Sequence, residues 1–326
     1  MMANTILSPV SREIPSGGAA ARLSPVFLAG PTAAGKSAVA LALAERIGGE
    51  IISVDSMQVY RGMDIGTAKP GPEELRRARH HLIDVAGLEE TFDAARFVRL
   101  AGAAAAEIQS RGHVPIFCGG TGFYFKAYRE GLGEAPPADA ALRAALEAQP
   151  LAELLAELEK SDPATFQRID RQNPRRVIRA VEVIRLTGRP FSGQRSAWEN
   201  AGAGAAAGCF CLTRPAGELL ERIARRVEMM FSTGLVAETE SLLGQRLEQN
   251  PTARQALGYR QVIEYLHGRR GLPETMELVK IRTRQFAKRQ LTWFRRQMRL
   301  EWISLEGQSP EAATGKLAAL LAVSHL

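Results

Sequence analysis

One octapeptide narrows the architectures open to this chain more than any other: Gly30-Pro31-Thr32-Ala33-Ala34-Gly35-Lys36-Ser37. It satisfies the G-x-x-x-x-G-K-S pattern in full. It stands between a short apolar run, PVFLAG, and a stretch with helical spacing, AVALALAERIG, that ends at Gly48 and Gly49. Strand, glycine loop and helix follow in the order a βα unit requires. In such a unit the loop amides converge on phosphate oxygens and the helix N-terminus adds partial positive charge. Lys36 supplies a full charge, and Ser37 a hydroxyl suited to Mg²⁺.

A second strand, EIISVDS, places Asp55 and Ser56 at its carboxyl end, where open α/β sheets carry their ligands. After RGMDIGTAKP comes RARHHLIDV, whose adjacent His80 and His81 read as one buried and one exposed residue with no assigned role. A helix through AARFVRLAGAAAAEIQSRG leads to a buried strand, VPIFCGGTG, closed at the same edge by Gly119, Gly120 and Gly122. That strand lacks the carboxylate with which many P-loop kinases hold Mg²⁺. The nearby acid is Asp55, placed to act as a base facing a nucleophile; a turn or cap residue is the plainer alternative.

From about Gly131 the texture changes. GLGEAPPADA resembles a linker, the following sequence is helical up to Asn200, and AGAGAAAG reads as a flexible connection before CFCLTRP resumes strand character. Helices follow, with WISLEG as a last strand. The expected fold is α/β, a P-loop-type parallel sheet flanked by helices, with a mainly helical insertion domain. Residues 24–130 and 209–308 form the core, 131–208 the insertion, 1–23 a flexible leader and 309–326 a C-terminal helix or tail.

The chain carries 42 Lys and Arg against 35 Asp and Glu, a formal charge of +7. That excess suits a polyanionic partner or a merely basic surface, so placement decides. Between Lys280 and Leu300 there is no acidic residue, while Arg282, Arg284, Lys288, Arg289, Arg295, Arg296 and Arg299 are basic. On a helix these fall within an arc of roughly 160°, with Ala287, Leu291, Phe294 and Met298 opposite. One face packs and the other suits nucleic acid, a solvated face being the alternative; Trp293 and Phe286 border the apolar arc and read as core. Arg175, Arg176 and Arg179 open a second basic helix, where cations oppose the helix dipole and so suggest a partner. Cys118, Cys209 and Cys211 read as small apolar residues in a reducing cytoplasm. No run is long enough for a membrane helix.

GPTAAGKS, DSMQVYRGMDIGTAKP, CGGTGFYFKA, RRVIRAVEV, ALGYRQ and AKRQLTWFR together resemble, in order and spacing, the tRNA dimethylallyltransferases. The likeness runs from about residue 24 to 305. It implies transfer of a dimethylallyl group from dimethylallyl diphosphate to the exocyclic amine of the adenine just 3′ of the anticodon. The diphosphate is then the leaving handle, held by the loop from Gly30 to Ser37 with Mg²⁺, and the fixed positive groups face the charge that develops there. By the same resemblance Thr32 bonds the bridging oxygen, Arg226 contacts the diphosphate and Asp55 is the general base. A base stacked in an anticodon loop must also be turned outward to reach the allyl carbon.

The partner implied is the anticodon stem-loop of tRNA, met by a cytoplasmic, monomeric enzyme with no membrane attachment. The resemblance places tRNA contacts at Asp55, Ser56, Met57 and Gln58, at Thr121 and Arg143, and at Arg175, Arg176, Val177, Ile178 and Arg179. It adds Gln255, Ala256, Leu257, Gly258, Tyr259 and Arg260, then Lys288, Arg289, Gln290, Leu291, Thr292, Trp293, Phe294 and Arg295. Ser37 stands where threonine is common, which keeps the hydroxyl. Three rival readings stay open on the residues: prenylation of free adenine nucleotides, a P-loop small-molecule kinase, and an RNA-binding module with a vestigial loop.

Overall fold

The computed structural model describes residues 24–133, 135–194 and 208–323. The leader and most of the AGAGAAAG connector lie outside the described residues. The first part of the chain forms β1 (Val26–Ala29), α1 (Lys36–Ile47), β2 (Gly49–Val54), α2 (Pro72–Arg77), β3 (His80–His81), α3 (Ala94–Ser110), β4 (Val114–Gly119) and α4 (Gly122–Glu130). Four helices follow: α5 (Ala140–Glu147), α6 (Leu151–Ser161), α7 (Pro163–Arg168) and α8 (Pro174–Thr187). The last part is β5 (Cys209–Thr213), α9 (Ala216–Ser232), α10 (Leu235–Leu243), α11 (Tyr259–Leu266), α12 (Leu272–Gln297), β6 (Glu301–Ser304) and α13 (Pro310–Val323).

The strands form one six-stranded sheet in the order β3-β2-β4-β1-β5-β6, and every neighbouring pair is parallel. Parallel pairing puts all carboxyl ends at one edge. The glycine loop leaves that edge after β1, Asp55 after β2, Gly120 and Thr121 after β4, and Arg214 after β5.

Alternation along the strands fills both faces. Phe27, Ile52, Phe117 and Cys211 join Phe97, Phe125 and Phe294 on one side. Leu28, Ile51, Ile116 and Leu212 join Leu41, Leu43 and Leu317 on the other. Helices cover both faces, which is why the strands read as unbroken apolar runs. The segment expected as helix or tail is helix α13, whose Ala313 and Leu317 belong to this second layer beside α1.

Residues of α5 to α8 build a separate apolar cluster around Leu146, Leu154, Leu158, Val177 and Val181. Among the described residues there is no strand between 131 and 194.

The structure adds one element and corrects two sequence expectations. RARHHLIDV contains β3, two residues paired with Ile51 and Ile52, too short to announce itself by periodicity. Both of its histidines are partly buried rather than one in and one out. Phe286 is 39% exposed, with the Arg289 guanidinium 5.8 Å from its ring centroid, because the buried stripe of α12 runs through Thr283, Ala287, Gln290 and Phe294.

At the amino edge of the sheet, Glu50 is 4% exposed. It accepts hydrogen bonds from Arg111 (Nη2–Oε2, 2.8 Å) and pairs with His81 Nε2 and His113 Nδ1, each at 2.7 Å. Burial alone would raise its pKa, but the Arg111, His81 and His113 hydrogen bonds outweigh it and hold the carboxyl at about 2.

Candidate active site and nucleic-acid interface

The loop between β1 and α1 is held open by its own backbone and by its neighbours. Gly35 caps α1 at φ 100°, and Ala33 sits at φ 63°. The Ala34 amide donates to Pro31 O at 3.3 Å and the Thr32 amide to Gln290 Oε1 at 2.9 Å. Among the described residues the amides of Ala33, Gly35, Lys36 and Ser37 meet no acceptor. Four unpaired donors at a helix N-terminus make a cradle for an anion.

Lys36 lies in the middle of the site. Its Nζ donates to Pro31 O at 2.7 Å. Burial holds its pKa below the usual lysine value, Arg226 pushes the same way, and the Asp55 carboxylate opposes both. Arg226 on α9 is itself lowered by burial and raised by Asp55. Among the described residues its guanidinium makes no hydrogen bond or ion pair, and the charge it feels is that of the Asp55 carboxylate. The nearby thiols are pushed up by burial, Cys118 to about 11 and Cys211 to about 12, so both stay protonated at neutral pH.

Asp55 uses one oxygen structurally. Oδ1 accepts from the amides of Met57 (2.8 Å) and Gln58 (3.3 Å), which fixes the turn after β2. Among the described residues Oδ2 accepts nothing, leaving a basic oxygen beside Lys36 and Arg226. Ser56 N–H donates to Thr121 Oγ1 at 3.1 Å and so ties the ends of β2 and β4 together. Gln58 is partly buried and braces the turn: its Oε1 accepts from Ser53 Oγ (2.7 Å) and its Nε2 donates to Ala68 O (3.1 Å).

The hydroxyl of Thr32 is half-buried and that of Ser37 exposed, and neither has a partner among the described residues. No group of three His, Cys, Asp or Glu side chains that could cage a metal occurs among those residues. Mg²⁺ commonly keeps several waters and binds through few protein groups plus substrate phosphates. A lone Ser37 hydroxyl at the head of α1 fits that habit.

Helix α12 joins this site to a basic surface. Arg282, Arg284, Lys288, Arg289, Arg295 and Arg296 on its outer arc are solvent-exposed, as is Arg299 just beyond its end. A cleft of about 600 Å³ runs between α12 and the start of α8, lined by Arg176, Lys288, Arg289, Thr292, Trp293 and Arg296 among others. A second, of about 460 Å³, is lined by Gln255, Leu257, Arg260, Arg282 and Arg289, so Arg289 belongs to both. The helix approaches β4 closely: a Cβ on Gly120 would lie 2.3 Å from Gln290 Nε2, and one on Gly122 would lie 2.1 Å from the Trp293 ring.

Not every residue expected at the tRNA surface lies there. Val177, Ile178, Ala256, Gly258, Tyr259, Gln290 and Phe294 are buried. Tyr259 is fully enclosed, its hydroxyl donating to Glu238 Oε1 at 2.6 Å and accepting from Gly66 N–H at 3.1 Å. Arg143 and Arg179 each donate to Glu182 Oε2 at 2.6 Å, and Glu182 has no exposed surface. A buried carboxylate needs such partners, so these two arginines hold the helical unit together. Arg175 donates to Pro251 O at 3.2 Å and links α8 to the segment before α11. Met57 and Leu291 are partly buried, whereas Arg175, Arg176, Gln255, Arg260, Lys288, Arg289, Thr292 and Arg295 are exposed.

Sequence reading missed Arg214, which donates to Ala34 O, and it passed over Arg222, which donates to Ala33 O, in favour of Arg226. The sole signal for Arg222 was its place one helical turn before Arg226.

Comparison with known proteins agrees with this geometry. A family model described as IPP transferase matches residues 58–297. A tRNA dimethylallyltransferase 1 of Trichlorobacter lovleyi is 46% identical over 283 residues, covering 86% of this chain and 93% of that protein. A tRNA dimethylallyltransferase of Deinococcus radiodurans is 43% identical, covering 93% and 97%. Among solved structures, the tRNA isopentenylpyrophosphate transferase of Bacillus halodurans superposes with a TM-score of 0.67 at 37% identity, covering 93% of this chain and 98% of that one. A eukaryotic dimethylallyltransferase acting on tRNA gives 0.71 at 25% identity, covering 88% and 74%. The match over residues 58–297 and relatives 43–46% identical over most of both chains place this chain in the IPP transferase family.

Proposed function

We propose that this protein transfers the dimethylallyl group of dimethylallyl diphosphate to the exocyclic amine of the adenine 3′-adjacent to the anticodon of tRNA, releasing diphosphate. The observation that carries the reading is the pairing, at one sheet edge, of an anion cradle with unbalanced cations and a carboxylate with one unbonded oxygen. A loop of free amides, Lys36 and Arg226 suits a leaving diphosphate, whose oxygens gain charge as the allyl carbon departs. A P-loop kinase would need a different arrangement, with an acid holding metal at β4.

In the reaction the bond from the allyl carbon to the diphosphate oxygen breaks and a bond to the adenine nitrogen forms. The amine's lone pair is delocalised into the purine ring, so its proton must be taken as attack proceeds. Asp55 Oδ2 receives that proton. Oδ1 stays bonded to Met57 and Gln58 N–H and keeps the carboxylate oriented. Thr32 Oγ1 donates to the bridging oxygen and Arg226 to the terminal ones. Mg²⁺, held by Ser37 Oγ, would spread the charge of the diphosphate.

The anticodon stem-loop lies along the clefts of α12, gripped by Arg176, Lys288, Arg289 and Arg260, while the helical unit of α5 to α8 braces it. The same helix that carries this surface bonds the loop, through Gln290 and Thr32, and a base turned out of its stack reaches from one to the other. Among the described residues no helix is long and apolar enough to cross a membrane. A tRNA substrate places the protein in the cytoplasm.

Purified protein incubated with Mg²⁺, labelled dimethylallyl diphosphate and either tRNA or AMP tests this reading. Label on tRNA and none on AMP is expected. Label on AMP alone would replace it with prenylation of free nucleotides, and label on neither would sink it.

A further inference from the structure

Three side chains from distant parts of the chain bond successive residues of the phosphate loop from outside. Gln290 Oε1 accepts from Thr32 N–H at 2.9 Å, Arg222 Nε donates to Ala33 O at 2.8 Å, and Arg214 Nε donates to Ala34 O at 2.8 Å. We infer that Arg222 and Arg214, together with Gln290, are positioning residues that hold the curl of the loop so that its unpaired amides, Gly35 N–H first among them, face the diphosphate, without contacting it themselves. The inference rests on the loop being the diphosphate site.

No cis peptide bond occurs among the described residues, and in a trans peptide the carbonyl and the following N–H point in opposite directions. A guanidinium on Ala34 O therefore turns Gly35 N–H away from Arg214 and toward the cradle. A guanidinium on Ala33 O fixes the preceding peptide plane, whose Ala34 N–H turns inward to Pro31 O at 3.3 Å, and so holds the curl of the loop and steadies Ala33 at φ 63°, a left-handed conformation that alanine otherwise avoids.

The braces are themselves fixed. The Arg214 side chain is 8% exposed, with Nη1 on Leu305 O at 2.8 Å and paired to Glu218. Gln290 is 7% exposed and donates from Nε2 to Gly120 O at 2.9 Å. Three elements, α9, α12 and the end of β5, thus converge on a three-residue stretch. Arg226, by contrast, has no partner among the described residues, the state expected of a group that waits for the ligand.

Binding of inorganic diphosphate with Mg²⁺, followed by calorimetry, separates positioning from charge at Arg222. Glutamine carries its Nε2 as many bonds from Cα as arginine carries Nε, so Arg222→Gln keeps the donor to Ala33 O and loses the charge. Arg222→Lys keeps the charge and displaces the donor. Arg222→Ala is expected to weaken diphosphate binding about tenfold or more, the scale of one charge-assisted hydrogen bond, and Arg222→Gln to stay within about threefold of wild type. The KM for dimethylallyl diphosphate should follow the same order, and the KM for tRNA should not move.

Arg222→Gln as weak as Arg222→Ala, with Arg222→Lys like wild type, would make Arg222 a charge contact and overturn the proposal. So would Arg222→Ala binding like wild type. A wild-type protein that binds no diphosphate, or a Lys36→Ala variant that binds it normally, would instead sink the functional reading beneath it.

Discussion

At the scale of single residues, Asp55 divides its two oxygens between structure and chemistry. Asn keeps the Oδ1 acceptor for the Met57 and Gln58 amides but has no basic oxygen, so Asp55→Asn should fold normally. Its kcat should fall by about 10²–10⁴ while the KM for dimethylallyl diphosphate changes little. Steady-state kinetics beside a thermal melt check both halves. Glu50 makes a prediction of another kind. Its folded pKa of about 2 lies below the ordinary 4.5, so its contribution to stability is present above pH 4.5 and is lost as the pH falls toward 2. A shift of that size is worth about 3 kcal/mol. Glu50→Gln should therefore be less stable than wild type by up to that amount at pH 7, and the gap should close in acid. Denaturant unfolding across pH measures it.

At the scale of elements, α12 was legible on one side only. Seven cations at helical spacing with no acid among them announce an exposed basic face; six lie on one, and Arg299, also exposed, follows the end of the helix. Salt dependence tests its use: each phosphate that a variant no longer neutralises lowers the slope of log affinity against log salt by about 0.7–0.9. Arg289→Ala should lower the slope for tRNA by about that amount, and Arg284→Ala, outside both clefts, should leave it unchanged. Filter binding across a salt series reads the difference.

The other side of α12 could not be read. Gln290 sits in a run of cations and looks like one more polar surface residue, yet its partner Thr32 is 258 positions away. Arg222 and Arg214 likewise find the loop across 189 and 180 positions. Local periodicity carries no information about such pairings. It also fails for β3, whose two residues are ordered by pairing with β2 and by the Glu50 network.

At the scale of the whole molecule, the parallel sheet explains why a local reading went so far. Once β1, β2, β4 and β5 are recognised as parallel strands, their carboxyl ends must share one edge, so the phosphate loop, Asp55 and Thr121 converge whatever the rest of the chain does. The helical unit from 131 to 194 follows a different logic. Arg143 reads as a tRNA contact by the resemblance alone, and Arg179 also because cations at a helix start suggest a partner, but Glu182, buried in the same unit, claims both. The basic surface is consequently narrower than the number of cations implies, concentrated along α12, the start of α8 and the segment around Arg260.

The central claim is that a carboxylate and an anion cradle at one sheet edge act together on an adenine of tRNA. Its most direct test is to treat unmodified tRNA with labelled dimethylallyl diphosphate and either wild-type protein or Asp55→Asn, digest the product, and locate the label by mass spectrometry. Wild-type protein should label a single adenine, the one 3′ of the anticodon, on its exocyclic nitrogen, and the variant should leave it bare at matched times. Label at another nucleotide, or equal labelling by the variant, would contradict the account.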